Sequence, residues 1–175
     1  YPRLESSLPD LDLHDSIGEA LVEAGIEGEG PTVDVRKAKE VADLSAYSAV
    51  VAGTGIRMGR VHGDLPKFLK KNRDGLGKMP VAYFVVCLTM AEDTPENRQE
   101  TLSYLEPLRK AAPEVEPVDI GLFAGAVLDD TEEFDRLFFL AKAIVQAVGQ
   151  DTEDARDWEA IRAWAEGLRP ALVPE

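Results

Sequence analysis

The chain has 175 residues, 45% of them apolar and 30% charged, which is enough for one cooperative domain with a full hydrophobic core and leaves little room for a second. Asp and Glu outnumber Lys and Arg by 33 to 19, so the net charge of −14 disfavours nucleic acid and anionic membrane surfaces as partners. The longest apolar runs, such as residues 81–90, are too short to span a bilayer.

Cys87 is the single cysteine of the sequence, which excludes an internal disulfide framework and a Cys-based zinc site. A lone thiol is typical of a reducing compartment, and we therefore expect a cytoplasmic protein. The sequence starts at Tyr1 rather than at a methionine, which leaves open a removed leader, anchor or first strand.

The first half of the chain predicts alternating helices and strands. Asp15 or Ser16 can cap the first helix, and Gly25 can end it. The strand predicted at residues 48–52 is continuously apolar, as expected for a strand that is covered on both faces. In chain order, the predicted elements are a helix at residues 17–24, a short strand at 32–36, a connecting turn at 41–47, a strand at 48–52, and an amphipathic helix with a basic outer side at 65–72.

The second half continues this alternation and contains the strongest strand signal, PVAYFVVCL, which we expect at the centre of a sheet. Pro95 follows Thr94 at the first position of a predicted helix. Trp158 and Trp164 are expected to anchor the last helix to the sheet. The predicted elements are a strand at residues 80–88, a helix at 94–111, a strand at 118–126, and helices at 132–148 and 157–168. This order predicts an α/β fold, in which a parallel sheet carries helices on both faces.

The segment SAVVAGTGIRMGR, residues 48–60, is an apolar strand that runs into a loop with three glycines and two arginines. In open α/β sheets, ligands bind at the carboxyl edge of the strands, where such loops lie. Arg57 and Arg60 offer positive charge to a phosphate or carboxylate of a ligand, and the alternative interpretation is a surface ion pair with one of the many acidic residues. The segment therefore predicts where a ligand binds.

Four segments of the chain together carry a resemblance to a known family. They are SAVVAGTGIRMGR, PVAYFVVCLTMAEDTPENRQ, VDIGLFAGAV and RDWEAIRAWAEGL, and the pattern covers residues 16–168 in order. The chain thereby resembles the flavodoxin-like proteins related to menaquinone-dependent protoporphyrinogen oxidase. The resemblance implies a three-layer flavodoxin-like fold in one domain over residues 1–175, with an open parallel sheet of about five strands and helices on both faces.

The resemblance also implies FMN at the carboxyl edge of the sheet, with its phosphate at the first strand–helix turn and its isoalloxazine ring between two later loops. Glycine in these loops lets the backbone approach the ring closely. The alternative interpretation is that the glycines only turn the chain from strand to helix. The residues that match the two ring loops are Thr54, Gly55, Ile56, Arg57, Met58 and Gly59 after one strand, and Leu88, Thr89 and Met90 after the next.

The N-terminal segment, where the family binds the phosphate of FMN, departs from the family pattern. A flavodoxin phosphate loop is a short turn rich in Ser, Thr and Gly, whose free amides face the phosphate at a helix N-terminus. Residues 1–15, YPRLESSLPDLDLHD, contain no glycine, two prolines and four acidic side chains. A carboxylate within ~4 Å of a phosphate costs about 1 kcal/mol even in water. Two interpretations stay open: the true loop lies outside this sequence, or ordinary FMN binding has been lost.

Other reactive side chains are few. His14 and His62 are the two histidines, and neither has a partner at metal-ligand spacing, so we expect no metal site and assign no catalytic residue. His62 follows the Gly-rich loop, where exposure to solvent is the simpler expectation. Cys87 lies within an apolar strand and is expected to be a small buried apolar residue rather than a nucleophile.

Two functions from different classes agree with the sequence. The first is an FMN-dependent electron-transfer protein or oxidoreductase, with a redox protein or a quinone as its partner. The second is a flavodoxin-fold protein that has lost ordinary FMN binding and serves as an interaction or structural module, because a fold alone does not decide function. No motif identifies a substrate or an oligomeric state.

Overall fold

The computed structural model describes residues 33–57, 59–125 and 156–172. Within these ranges the backbone forms one sheet of four strands, three of which run parallel to one another. A two-residue strand pairs antiparallel with the first strand and forms a hairpin with it. In chain order the strands are β1 (Val50–Arg57), β2 (Arg60–Val61), β3 (Val81–Cys87) and β4 (Asp119–Ala124), and their order in the sheet is β2–β1–β3–β4.

Helices connect the parallel strands and cover both faces of the sheet. They are α1 (Asp64–Leu76), α2 (Pro95–Ser103), α3 (Glu106–Ala111) and α4 (Trp158–Leu172), together with two short 3₁₀ turns, Ala38–Glu40 and Leu88–Ala91. The helix α1 leads from the hairpin to β3, and α2 and α3 lead from β3 to β4. The predicted α/β fold is confirmed.

The strand β3 lies between β1 and β4, and its side chains alternate between the two faces of the sheet. On one face, Tyr83 packs in a cluster with Leu69 of α1 and Leu108 of α3. On the other face, Phe84 packs in a cluster with Ile161 of α4. The prediction of a central strand is therefore confirmed, and the strand is buried on both faces.

Aromatic contacts hold α4 against the sheet. Trp164 meets the rings of Phe84 and Phe123 edge-on, with 6.3 and 5.4 Å between ring centroids. Its indole Nε1 donates a hydrogen bond of 2.9 Å to Asp119 Oδ2 on β4. The predicted anchoring of this helix is confirmed, and the residues of its stripe that are buried or packed against the sheet are Trp158, Ile161, Ala165 and Leu168.

Two glycines flank Phe84 in one row across the sheet. Gly53 of β1 is the register partner of Phe84, which in turn is the partner of Gly121 in β4. A Cβ atom on Gly53 would lie 1.8 Å from Phe84 Cζ, and one on Gly121 would lie 2.8 Å from Trp164 Cε2. Both positions require glycine because aromatic rings fill the space that a side chain would take.

The strand predicted at residues 32–36 is wrong over its described part, since residues 33–36 form no strand. Side chains hold this segment instead: the hydroxyl of Tyr47 donates a hydrogen bond of 2.7 Å to Asp34, and Arg36 binds the same carboxylate. These contacts, first of all the one from Tyr47, lower the pKa of Asp34. An alternation over only five residues is too short to specify backbone pairing.

The helix predicted at residues 94–111 is interrupted at Tyr104, between α2 and α3. Pro107 has no N–H group, and its ring clashes with the carbonyl four residues earlier, which favours a break in the helix at this point. The predicted start of the helix is confirmed: Thr94 Oγ1 accepts a hydrogen bond of 3.1 Å from the backbone N–H of Asn97, and Pro95 is in the first turn.

Part of the predicted organisation lies outside the described residues. This applies to the N-terminal segment 1–15, to the helices predicted at 17–24 and 132–148, and to Met58. Among the residues that are described, no helix is long and apolar enough to cross a membrane.

Candidate functional site

The two segments that were predicted to hold the flavin ring lie, in their described residues, at the same edge of the sheet. Because β1 and β3 are parallel and pair through Gly55 and Val86, their carboxyl ends are neighbours. The pairing of Cys87 with Ala124 adds the end of β4 to this edge. The 3₁₀ turn Leu88–Ala91, which contains the second segment, follows directly. The structure thus places the described residues of the two segments, 54–57, 59 and 88–90, at neighbouring strand ends.

The first segment is not the loop that its glycines predict, because Thr54 to Arg57 belong to β1 and extend it beyond residue 52. Gly53 fits in the strand because the ring of Phe84 occupies its side-chain space. Pairing with β3 continues to Gly55, and the strand then forms a hairpin with β2. The glycines alone predicted a turn, whereas pairing with β3 and the ring of Phe84 favour an extended backbone here.

Thr54 holds the hairpin together with a buried hydroxyl. The side chain is 3% exposed, and its Oγ1 accepts a hydrogen bond of 3.3 Å from the backbone N–H of His62. The same hydroxyl lies 3.1 Å from the carbonyl oxygen of Gly55, to which it donates. The contribution of Thr54 to the edge is therefore to fix the position of the hairpin.

The turn of the hairpin presents positive charge. Arg57 and Arg60 are register partners on either side of it, and both are exposed. Gly59 in the turn has a φ of 71°, a left-handed conformation that glycine adopts without strain. The two arginines thus lie side by side at the edge of the sheet.

Tyr104 links the two predicted segments, and the sequence analysis did not single it out. Its hydroxyl donates a hydrogen bond to Glu100, which is the main cause that raises the pKa of Tyr104, whereas the nearby hydroxyl of Thr89 lowers that pKa. A Cβ atom on Gly59 would lie 3.6 Å from Tyr104 Cε1, so the ring lies beside the hairpin turn. The sequence signal that could have indicated Tyr104 is an aromatic residue shortly before Pro107, where the helix breaks.

A groove of about 420 Å³ opens beside this tyrosine. Its walls come from the hairpin, from the start of α1 and from the α2–α3 junction. Apolar groups form most of the lining, which consists of Gly59, Arg60, Val61, Pro66, Ser103, Tyr104 and Pro107. Concave apolar surfaces with a few polar groups are where proteins bind small molecules.

Cys87 and His62 lie as predicted. Cys87 is buried, and its Sγ lies 3.4 Å from the hydroxyl of Thr101. His62 is exposed, with its Nδ1 at 3.8 Å from a carboxylate oxygen of Asp64. No group of three or more His, Cys, Asp or Glu side chains among the described residues could hold a metal ion.

Comparison with known proteins agrees with this architecture. A family model described as "Flavodoxin domain" matches residues 17–159. The protoporphyrinogen IX dehydrogenases (quinone) of Escherichia coli K12, O6:H1 and O157:H7 are each 30% identical to the chain over 126 residues, which is 68% of this chain and 67% of the relative. The family match includes the hairpin, the turn after β3 and Tyr104. The chain therefore belongs to the flavodoxin-domain family and is related to these dehydrogenases.

Proposed function

We propose that the protein binds FMN at the carboxyl edge of its sheet and acts in electron transfer or as a flavin-dependent oxidoreductase. The observation that carries the proposal is the convergence of the β1–β2 hairpin and the Leu88–Ala91 turn on Tyr104. Members of the flavodoxin family generally bind FMN, which supports this choice of ligand. When bound, FMN supplies the transfer of electrons, and the protein supplies binding and orientation.

The residues at this edge fit the ring end of FMN. Gly55 and Gly59 have no side chains to keep a flat ring away from the backbone. The side chain of Met90 is only 5% exposed, so its part in a site would come from its main chain. The nearby groove, at about 420 Å³, lies within the ~300–1,000 Å³ that is usual for small-molecule sites. The residues that would hold the ring are Thr54, Gly55, Ile56, Arg57, Met58, Gly59, Leu88, Thr89 and Met90.

The partners, compartment and extent of the domain belong to the same proposal. The relatives are named for a quinone, and we propose a quinone or a redox protein as the partner of this chain. The buried free thiol of Cys87 suits a reducing compartment, which supports the cytoplasm. We also propose that residues 1–175 form one domain, because the family match covers most of that length.

The direct test is titration of the full chain with FMN and with riboflavin, followed by flavin fluorescence and absorbance. Both flavins share the ring, whereas only FMN has the phosphate. A phosphate site would make FMN bind at least about tenfold tighter, since charge-assisted contacts to a phosphate are strong. Equal affinities would mean that residues 1–15 supply no phosphate site while the ring end still binds.

Gly59→Val is the variant that tests the ring end. A β-branched side chain at a φ of 71° is strained, and it would extend from the turn beside Tyr104. We expect flavin affinity to fall at least about tenfold, a loss of roughly 1.4 kcal/mol of binding free energy.

The matched control for this variant is Gly63→Ala. No atom lies within 4 Å of the position that its Cβ would take, so the substitution should leave flavin affinity within about twofold. Equal affinities of the Gly59→Val protein and the natural protein would place the flavin elsewhere.

A second candidate function rests on the composition of residues 1–15. Their lack of glycine and their four acidic side chains favour a flavodoxin-fold interaction module without a flavin. Failure of the full, folded chain to bind either flavin would contradict the first proposal and support this one.

A further inference from the structure

An exposed carboxylate, that of Glu100, holds the outer end of the Tyr104 side chain. Glu100 lies in α2, four residues before Tyr104, and accepts a hydrogen bond from the Tyr104 hydroxyl. Hydrogen bonds to an ionised carboxylate are stronger than those between neutral groups. Glu100 therefore favours one direction of the phenol ring over the others that the side chain could adopt.

The backbone of Tyr104 is fixed from the side of the core. Tyr104 ends α2, and its N–H donates a hydrogen bond of 3.1 Å to the carbonyl of Thr101. Thr101 is fully buried, and its hydroxyl lies 3.4 Å from Sγ of Cys87 at the end of β3. The end of the helix thus has a set position relative to the strand. What Glu100 decides is the direction of the Tyr104 ring.

The ring and hydroxyl of Tyr104 lie beside both segments of the candidate site. A Cβ atom on Gly59 would be 3.6 Å from Tyr104 Cε1, and Gly59, Arg60 and Tyr104 line the same groove. The nearby hydroxyl of Thr89, in the second segment, lowers the pKa of Tyr104 against the larger upward effect of Glu100. A phenol that turned away would therefore leave space beside the hairpin turn and beside Thr89.

We infer that Glu100 is a positioning residue of this edge, which acts through Tyr104 to hold the hairpin turn beside the Leu88–Ala91 turn. The consequence for a flavin rests on the proposed function. A flat ring binds more tightly between walls that are already in place, because less ordering of the protein then opposes binding. Glu100 is thus expected to raise flavin affinity without itself contacting the flavin.

Hydrogen exchange of the flavin-free protein, followed by mass spectrometry, tests the hold on the hairpin. Y104F keeps the ring and loses the hydroxyl, whereas E100A loses the acceptor. We expect the amides of residues 56–63 to exchange at least about threefold faster in both variants, because loss of a contact favours local opening. Amides of β3 should exchange at the natural rate, which shows that the fold is intact.

Titration with riboflavin tests the consequence for the ring, because riboflavin lacks the phosphate. Y104F and E100A should each weaken binding about three- to tenfold, as expected for the loss of one hydrogen bond. The double variant E100A/Y104F should lose no more than either single variant, because the two groups share that bond. E100Q keeps an acceptor oxygen and should lose less than E100A.

The matched control is E96A, which removes the same charge from an exposed position one helical turn earlier in α2. Its hairpin exchange and its riboflavin affinity should stay within about twofold of those of the natural protein.

Equal hairpin exchange in E100A and E96A would overturn the inference. Natural riboflavin affinity in E100A would also overturn it, as would losses that add up in the double variant. Faster hairpin exchange in Y104F and E100A, together with no flavin binding by the natural chain, would support the hold of Glu100 on the hairpin and contradict the proposed function.

Discussion

At Gly53 the strand β1 has no space for even a methyl group, because the ring of its partner Phe84 lies where a Cβ atom would be. Phe84 is itself 3% exposed and cannot turn aside into solvent. We expect Gly53→Ala to lower the free energy of unfolding by about 1–3 kcal/mol, as overpacking of a core does. Urea denaturation followed by circular dichroism measures this change.

Gly167→Ala is the control for that substitution. Gly167 is exposed in α4, and no atom lies within 4 Å of the position that its Cβ would take. Alanine in a helix interior should raise the free energy of unfolding by up to about 1 kcal/mol. If Phe84 is the cause of the clash, Gly53→Ala should cost less in an F84L background. An equal cost in both backgrounds would show that Phe84 is not responsible.

Because of Tyr83, the free energy of unfolding depends on pH in the alkaline range. Burial raises the pKa of Tyr83 to about 12, above its ordinary value of 10.0. The unfolded chain therefore loses the phenolic proton first as pH rises, and the stabilisation that is complete below pH 10 declines between the two values. At pH 11 the free energy of unfolding is lower by about 1 kcal/mol than below pH 10.

Tyr83→Phe removes this titration and leaves the rest of the side chain. The two proteins differ in the hydroxyl of Tyr83 alone, so the variant should match the natural protein at pH 7 within about 1 kcal/mol. Between pH 8 and pH 11 the natural protein should lose about 1 kcal/mol more than the variant. Parallel pH profiles of the two unfolding free energies would contradict the role of Tyr83.

Among the elements, α2 has the start that is clearest from sequence. The oxygen of Thr94 accepts a hydrogen bond from the backbone of Asn97, and the side-chain amide of Asn97 donates one of 2.8 Å to the carbonyl of Glu92. Thr94→Ala removes the cap, and we expect the free energy of unfolding to fall by about 1 kcal/mol. Thr94→Ser keeps the oxygen and should retain most of the stability. Equal losses for both variants in urea denaturation would show that the cap does not matter.

The end of this element was not predictable in the same way. Pro107 carries the information that a helix must break, yet the spacing of Leu102, Leu105 and Leu108 favours one continuous helix over the same residues. The structure keeps these leucines on the core side by starting a second helix at Glu106. The break also brings Tyr104 to the edge of the sheet, which is why the candidate site contains a residue that no motif indicated.

At the scale of the whole molecule, the sheet separates two different surfaces. Helices α1 and α3 cover one face and carry exposed lysines, whereas α4 covers the other and balances its charges within the helix. The sequence correctly predicted helices on both faces and the basic outer side of α1. The described residues include 16 basic and 16 acidic side chains, so the net charge of −14 arises from the rest of the chain.

The sequence by itself determined the α/β class, the central strand β3, the start of α2 and the family, because hydrophobic periodicity, caps and specific motifs are local along the chain. Only the tertiary structure decided that Gly53 belongs to a strand, that residues 33–36 do not, and that Tyr104 joins the two segments of the candidate site. Each of these depends on a neighbour distant in sequence, whether a ring, a partner strand or a hydroxyl, and local patterns do not specify which distant groups meet.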